Sequence, residues 1–139
     1  MKLERIRFFP SHKAKSHTFL HKAVIGVGGN KGDVKKRFVK LYRYFQNDRR
    51  FRIVQTSSVL KNPPFGYLEQ DDFYNAMMTV QTSLHVNAML KVLLHVEKVF
   101  GRKRSFKNAP RTLDLDIIFF DNLRRKQNHI SLPHPHWEE

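Results

Sequence analysis

Residues 110–120 read PRTLDLDIIFF, and the last eight of them have the composition of a β-strand. The run is short, rich in β-favouring residues and followed by a turn-forming Asp-Asn pair. Side chains alternate between the two faces of a strand, so Asp114 and Asp116 should project together, about 6–7 Å apart. Ile118 and Phe120 are expected to continue that face. The pattern predicts a strand that begins at a wet rim with two carboxylates and ends in an apolar core.

The two carboxylates allow two interpretations. One is an acidic strand end that is simply solvated. The other is a cation site, because neighbouring carboxylates are costly unless a cation or basic groups lie opposite them. Arg111 lies just upstream, and the basic run Arg102–Arg104 precedes it. Carboxylates that hold Mg²⁺ and arginines that bind phosphate oxygens are what phosphoryl transfer needs in one place.

Composition limits the class of protein. The chain has 139 residues, which suggests one domain, and its twelve Phe and 40% hydrophobic content argue against disorder. It contains no Cys, so a disulfide framework is excluded and a reducing cytoplasm is the expected location. No run of residues approaches the length of a membrane span. We therefore expect a cytoplasmic protein without a membrane partner.

The charge is strongly positive. The formal net charge of +14 admits RNA, DNA, anionic membranes and nucleotide phosphates as partners, and does not choose among them. Residues 1–22 contain six Lys or Arg against one Glu, with a Ser/Lys/His mixture after Pro10. We predict that residues 1–22 form a basic extension without chemistry and that the functional domain spans residues 23–139. Ile6 to Phe9 could pair as a strand, but Pro10 and the polar mixture after it indicate a mobile extension.

The hydrophobic pattern predicts the element order β-α-β-β-α-β. The strands are expected at Ala23–Val27, Phe51–Leu60, Phe73–Thr82 and Leu113–Phe120, and the helices at Val34–Gln46, capped by Asp33, and from a Ser83 cap to a stop at Gly101. In the third strand, Phe73, Asn75 and Met77 should share one face. This order is typical of the α+β ferredoxin-like fold, an antiparallel sheet with both helices packed on it.

Two further patterns do not support a site. A glycine turn follows the first predicted strand, but a Walker phosphate loop requires Ser or Thr after its Lys, and Lys31 is followed by Gly32. The turn is predicted to be structural. His134 and His136 stand two residues apart, but prolines flank them and the chain offers no thiol ligands, so a metal site there is not favoured.

Four segments together resemble the hydroxymethyl-dihydropterin pyrophosphokinase family of folate biosynthesis. They are VIGVGGNKGD (24–33), NPPFG (62–66) with QDDFYNA (70–76), Glu97 and GRKR (101–104) with APRTLDLD (109–116), and LPHP (132–135). The resemblance runs from about residue 23 to the end of the chain. It implies transfer of pyrophosphate from ATP to the hydroxymethyl oxygen of 6-hydroxymethyl-7,8-dihydropterin, with release of AMP.

The resemblance also implies residue roles. Asp114 and Asp116 would hold two Mg²⁺ ions, and Arg102 and Arg111 would be catalytic. The implied ATP-binding residues are Glu97, Arg102, Arg104, Arg111, Thr112 and His134. The implied pterin-binding residues are Pro63, Phe65, Gly66, Phe73, Asn75 and Asp114. ATP and the reduced pterin are the implied partners, and we expect a monomer that binds no nucleic acid.

The chain departs from the family pattern at several positions. Gly29 stands in place of a Ser, Asn62 in place of a Thr, and Asn108 in place of a Trp. The family domain usually continues beyond the LPHP motif with an Arg, a closing aromatic and a further strand. We therefore interpret residues 23–139 as a pyrophosphokinase domain that lacks the C-terminal end of the family domain, either because the sequence is truncated or because the protein uses a reduced pocket.

Two alternatives remain. An RNA-binding module shares the strand and helix order and suits a basic surface, but its third strand needs an RNP1-like aromatic pattern, and residues 72–78 read DFYNAMM. An inactive member of the pyrophosphokinase family that acts as a partner protein is the other alternative. Formation of AMP from ATP, with and without the reduced pterin, separates both from the enzyme.

Overall fold

The structure, a computed structural model, describes residues 2–14, 18–63, 71–101 and 112–123, and also the backbone of residues 125–127 and 130–132. The described elements, in chain order, are β1 (Lys2–Glu4), β2 (Ser11–His12), β3 (His21–Gly29), α1 (Val34–Gln46), β4 (Phe51–Thr56), β5 (Val59–Asn62), β6 (Phe73–Thr82), α2 (Val86–Val99), β7 (Asp114–Phe120), β8 (Arg125–Gln127) and β9 (Ile130–Leu132). The predicted bounds of α1 and β6 are confirmed.

The first seven strands form one antiparallel sheet in the order β1-β5-β6-β3-β7, with β4 also paired to β6 and β2 to β4. β6 is long enough to pair with β5 through its first residues and with β4 through the rest. The central strands β3 and β6 lie side by side, and β7 flanks β3. The α+β fold predicted from the sequence is confirmed. β8 and β9 form a separate two-stranded sheet.

Both helices pack on the same face of the sheet, because they share one core cluster with it. α1 contributes Phe38, Leu41 and Phe45, and α2 contributes Met89 and Leu93, at the three- and four-residue spacing of an amphipathic helix. Asp33 caps α1 by accepting a hydrogen bond from Lys36 N at 3.1 Å, as predicted. Neither of these two helices is long and apolar enough to cross a membrane.

The predicted cap of α2 is wrong. The residue at the N-cap is His85, and its side chain makes no capping hydrogen bond. Ser83 lies two residues earlier, where its backbone N–H donates to Arg50 O, so it belongs to the turn from β6. At the other end, Gly101 has a φ of 85° directly after the C-cap residue Phe100, as expected for a glycine that ends a helix.

The expectation of a mobile N-terminal extension is wrong for residues 2–14. β1 extends the sheet beyond β5, and β2 pairs with β4. Phe9 is fully buried in the core, and the Phe8 ring stacks on Tyr42 with 4.2 Å between centroids. The sequence pattern hides this role because short strands that complete the edge of a sheet carry little periodicity of their own.

β7 contains a bulge that corrects one expectation about its faces. The register with β3 shifts between Val24, opposite Phe119, and Ile25, opposite Ile117, so Ile118 is the extra residue. Asp114 and Asp116 keep a common face, as predicted. After the bulge the alternation changes, and Phe120 joins the core beneath the helices instead of continuing the aspartates' face.

Two other strand boundaries differ from the predictions. The strand predicted over Phe51–Leu60 is divided into β4 and β5 at Ser57, whose side-chain oxygen accepts a hydrogen bond from Met77 N at 2.8 Å. β3 continues to Gly29 instead of ending at Val27, so Gly28 and Gly29 lie in a strand and not in a turn. The positive φ that requires glycine in this region is at Gly32, where it is 74°.

Candidate active site

Three neighbouring strands align their polar residues on the sheet face opposite the helices. Asn75 of β6 lies opposite Gly28 of β3, and Gly28 lies opposite Asp114 of β7. One pair further along, Met77 lies opposite Gly26 and Gly26 opposite Asp116. Neighbouring strands are about 4.8 Å apart, so Asn75 and Asp114 flank a glycine at a separation of about 10 Å. We call this surface the site face.

The missing side chain at Gly28 shapes the site face. A Cβ atom at this position would lie 2.9 Å from Asn75 Oδ1, closer than real Cβ contacts. The amide of Asn75 therefore lies across the middle strand, on the side toward Asp114. An amide and a carboxylate that converge over a bare backbone provide donors and acceptors for the edge of a flat ring. β3 thus contributes an open stretch of backbone at Gly28, where no side chain stands between Asn75 and Asp114.

The strand that carries Asn75 also presents Phe73, two residues earlier on the same face and half-buried. The segment that leads into β6 is held in place by Asn30, which is buried and donates from Nδ2 to Asp71 O at 3.0 Å. Pro63, which follows β5, is exposed at this end of the sheet, where Asn62 pairs with Phe73. An aromatic ring beside an amide is a suitable pair for holding a flat, polar ring system.

The two aspartates suit Mg²⁺. Mg²⁺ is usually held by one or two carboxylates and substrate phosphates, not by a full protein cage. Asp114 is half-buried and Asp116 is exposed, and both project from the site face at the start of β7. Among the described residues no group of three or more potential ligands surrounds a metal position, which is consistent with a site completed by phosphate oxygens. The donor set therefore fits the ion that the sequence resemblance implies.

Thr112 offers a buried hydroxyl beside the aspartates. Its Oγ1 is inaccessible to solvent and has no hydrogen-bond partner within the part of the chain that the structure describes. Leaving such a group unpaired costs about 1–3 kcal/mol, so a partner from a ligand would be favourable. The backbone carbonyl of Thr112 accepts from Arg37 Nη1 at 2.8 Å, and the same nitrogen donates to Lys31 O at 2.7 Å. Arg37 thus ties the turn after β3 to the residue two places before Asp114.

The environment of Arg37 is partly dehydrated. Burial lowers the pKa of its guanidinium from the ordinary value, and nearby Asp33 acts in the opposite direction. The ordinary pKa of arginine is far above neutrality, so the group stays charged and keeps both carbonyl contacts at physiological pH.

Glu97 supports β7 from the helix layer. It is 4% exposed, and its Oε2 accepts a hydrogen bond from Leu115 N at 2.8 Å. Leu115 lies between the two aspartates, so this carboxylate holds the backbone from which they project. A contact between Glu97 and ATP stays a prediction.

Several predicted site residues fall outside the described residues. They are Arg102, Arg104, Arg111, Phe65, Gly66 and His134. Of the predicted set, the structure describes Pro63, Phe73, Asn75, Glu97, Thr112, Asp114 and Asp116. It brings Asn75, Asp114 and Asp116 to one face, and places Glu97 beneath them.

Sequence reasoning missed the parts played by Gly28, Asn30 and Arg37. The signal for Gly28 was present, since glycine alternates with Ile25 and Val27 in a strand-like run, and this alternation indicates a bare face. Arg37 gave no such signal. It lies on a helix that is rich in lysine and arginine, and its two acceptors are backbone carbonyls, one of them 75 residues away.

The chain is similar to several known proteins. Residues 24–139 match the model of the 7,8-dihydro-6-hydroxymethylpterin-pyrophosphokinase family. The chain is 48% identical over 131 residues to the 2-amino-4-hydroxy-6-hydroxymethyldihydropteridine pyrophosphokinase of Campylobacter jejuni, which covers 94% of this chain and 83% of that protein. It is 42% identical to the protein of the same name from Helicobacter pylori, covering 96% of this chain and 83% of the relative. The corresponding protein of Synechocystis is 36% identical over 83% of this chain and 58% of its own length.

The family match covers most of the chain, and the two alignments with 48% and 42% identity extend beyond it into residues 1–22, because they leave out no more than 6% of the chain. Neither the RNA-binding alternative nor the inactive-partner alternative is favoured by these matches. The chain therefore belongs to the 7,8-dihydro-6-hydroxymethylpterin-pyrophosphokinase family, which carries out pyrophosphate transfer in folate biosynthesis.

Proposed function

We propose that the site face carries out pyrophosphate transfer from ATP to 6-hydroxymethyl-7,8-dihydropterin. In this reaction the hydroxymethyl oxygen forms a bond to the β-phosphorus of ATP, the bond from that phosphorus to the bridging α,β oxygen breaks, and AMP leaves. The family membership supports a diphosphotransferase that uses ATP. The observation that carries the assignment to this surface is the row Asn75–Gly28–Asp114 across three strands.

Each side chain of the row has a proposed task in substrate binding. Asn75 and Asp114 would hydrogen-bond the edge of the pterin, and Phe73 would pack against its ring. The Pro63 segment, with Phe65 and Gly66, would complete the pterin pocket. Because Gly28 lacks a side chain, the ring can approach the sheet backbone closely. Together these groups would orient the hydroxymethyl group toward the carboxylate end of β7, which lowers the entropic cost of the reaction.

The phosphates are proposed to lie beside the aspartates. Two Mg²⁺ ions held by Asp114 and Asp116 would neutralise phosphate charge and make the hydroxyl a better nucleophile. Arg102 and Arg111 would stabilise charge on the transferring group, and Glu97, Arg104 and His134 would contribute to nucleotide binding. Thr112 would also contribute to nucleotide binding, because its Oγ1 has no hydrogen-bond partner among the described residues.

Formation of AMP tests the proposal directly. With Mg²⁺ and ATP, the protein should release AMP only when the reduced pterin is present, and Asn75→Ala should raise the KM for pterin while leaving the KM for ATP nearly unchanged. Thr79→Ala is a matched control, because Thr79 lies further along the same face of β6. AMP release without pterin, or equal pterin KM values in the two variants, would contradict the assignment of this surface.

We further propose that the enzyme acts as a monomer in the cytoplasm and uses neither nucleic acid nor membrane. The row of site residues comes from strands of one chain, and the absence of Cys suits a reducing compartment. Light scattering of the purified protein at assay concentration should give the mass of one chain. A dimer that dissociates with loss of activity would contradict the monomer.

A further inference from the structure

A cavity lies on the helix side of the sheet. Its volume is about 590 Å³, within the range of small-molecule sites, and it opens between α1 and the C-terminal end of α2. Lys36, Arg37, Lys40 and Tyr44 line it from α1, and Phe100 lines it from the C-cap of α2. We call it the helix groove. It lies on the helix side of the sheet, whereas the row Asn75–Gly28–Asp114 lies on the opposite face, and Arg37 at its edge also donates to Thr112 O.

The helix groove carries positive charge that the helix itself does not compensate. α1 contains no Asp or Glu, and its first turn, where the helix dipole disfavours cations, has Lys35, Lys36 and Arg37. Lys36 and Lys40 are one turn apart, a spacing at which like charges destabilise a helix. The carboxylate that lines the groove, Asp33, is the helix cap and accepts from Lys36 N. A bound anion would relieve both unfavourable placements.

Two aromatic rings line the groove beside these cations. The rings of Tyr44 and Phe100 meet edge to face with 6.0 Å between centroids, and both side chains are half-buried. Tyr44 is one turn beyond Lys40, so cations and ring follow one stripe of α1. Rings of this kind bind flat apolar surfaces, while lysine and arginine bind phosphate oxygens.

We propose that the helix groove binds a small phosphorylated ring compound of about the size of a mononucleotide. The phosphate group lies against Lys36, Arg37 and Lys40, and the ring lies against Tyr44 and Phe100. The cavity volume suits such a compound. The proposal does not depend on the proposed function of the site face.

The test uses 4-methylumbelliferyl phosphate as a fluorescent probe, titrated into the full chain and followed by anisotropy. The titration is made with EDTA and without Mg²⁺, so that the magnesium-dependent nucleotide site proposed on the other face is not completed. We expect saturable binding with a dissociation constant below about 1 mM. Absence of saturation in that range would overturn the proposal.

Variants locate the probe. Lys40→Glu should weaken its binding about tenfold or more, because a charge-assisted contact becomes repulsive. Arg49→Glu makes the same charge change at an exposed residue outside the groove, and should change binding less than about twofold. Equal weakening by both variants would mean that general attraction explains the binding, and would refute the groove. Thermal melts confirm that both variants are folded.

A third variant separates ring from phosphate. Tyr44→Leu keeps an apolar side chain but removes the ring, so it should weaken the probe about three- to tenfold and leave competition by inorganic phosphate unchanged. If inorganic phosphate displaces the probe from the wild-type protein with an inhibition constant equal to the dissociation constant of the probe, the ring contributes nothing. That result would refute the proposed ligand class.

Discussion

The N-terminal segment, residues 2–14, and the start of β7 lie at opposite edges of the same sheet and use their residues in different ways. The N-terminal segment buries Phe9 completely and completes the sheet at β1 and β2. The start of β7 keeps Asp116 exposed and Asp114 half-buried on the site face. One edge contributes free energy of folding, whereas the other holds charge where a substrate can meet it. One edge of the sheet therefore stabilises the fold, and the other edge presents the groups proposed to carry out the chemistry.

The largest expected effect is at the β7 edge. Asp116→Asn should lower kcat/KM by about a thousandfold, corresponding to about 4 kcal/mol, if it removes a ligand of the ion that stabilises phosphate charge. Stability to urea should change by less than about 0.5 kcal/mol, because the side chain is exposed.

Asp121→Asn provides the control for that substitution. Asp121 follows the same strand, but its carboxylate accepts from Lys22 N at 2.7 Å and lies 2.7 Å from His21 Nδ1. This variant should retain activity and lose some stability. A comparable loss of activity in both variants would show that the strand as a whole, and not the position of Asp116, matters.

The next effect is at the N-terminal edge. Phe9→Ala should lower the free energy of unfolding by about 3–5 kcal/mol, since it removes a fully buried ring from the core. The folded fraction should turn over at the wild-type rate. Leu3→Ala is the control, because Leu3 is 70% exposed and should cost under about 0.5 kcal/mol. A large fall in kcat for the folded Phe9 variant would contradict the assignment of stability to the N-terminal edge and of chemistry to the β7 edge.

A smaller effect is expected between the edges, at β3. In Gly28→Ala the new Cβ would displace the Asn75 side chain, so the KM for pterin should rise about tenfold. Gly26→Ala instead places its Cβ 2.9 Å from Ile118 Cδ1, and no atom of Asn75 is among the three nearest to it. It should therefore cost stability with a smaller change in KM. Steady-state kinetics of both variants measures the two KM values. A larger rise in the KM for pterin in Gly26→Ala than in Gly28→Ala would contradict the proposed position of the pterin ring.

The smallest effect belongs to neither edge. The side-chain hydrogen bond from Arg50 holds the pKa of Asp48 below its usual range, opposed by partial burial. A lowered pKa in the folded state stabilises the protein above the unfolded value, near 3.9, and this contribution disappears as pH falls through the lower folded value. Asp48→Asn should cost well under about 1 kcal/mol at pH 7, and this cost should shrink as the pH falls through the lowered folded pKa. Urea titrations at pH 7 and at successively more acidic pH measure it.

The sequence predicts the elements in which hydrophobic residues recur at a regular spacing. α1 and β6 are long enough for their periodicity to fix the bounds, and alternation in β7 correctly places Asp114 and Asp116 together. The bulge at Ile118 could not be predicted, because it depends on pairing with β3 and not on the local pattern. Phe9 is likewise buried by contacts with residues distant in the chain, such as Phe38.

The residues of the candidate site likewise fall into two groups, those that the sequence identifies and those that only the structure identifies. Motif residues such as Asp114 and Asn75 are identified by their neighbours in sequence, and this identification came from a family resemblance. Residues that position them, Glu97 beneath Leu115 and Arg37 against Thr112, act through backbone atoms that accept or donate hydrogen bonds. A hydrogen bond to a backbone atom does not restrict the residue type of its partner, so these contacts can be identified only from a structure.

The contact between Arg37 and Thr112 has a consequence for binding at β7. Thr112 comes two residues before Asp114, and its carbonyl is held at 2.8 Å from Arg37 Nη1. α1 therefore fixes the backbone just before β7 from a position 75 residues earlier in the chain. A phosphate or metal ion that binds at Asp114 meets a carboxylate on a backbone that is already ordered, so binding requires little additional loss of conformational entropy of the protein.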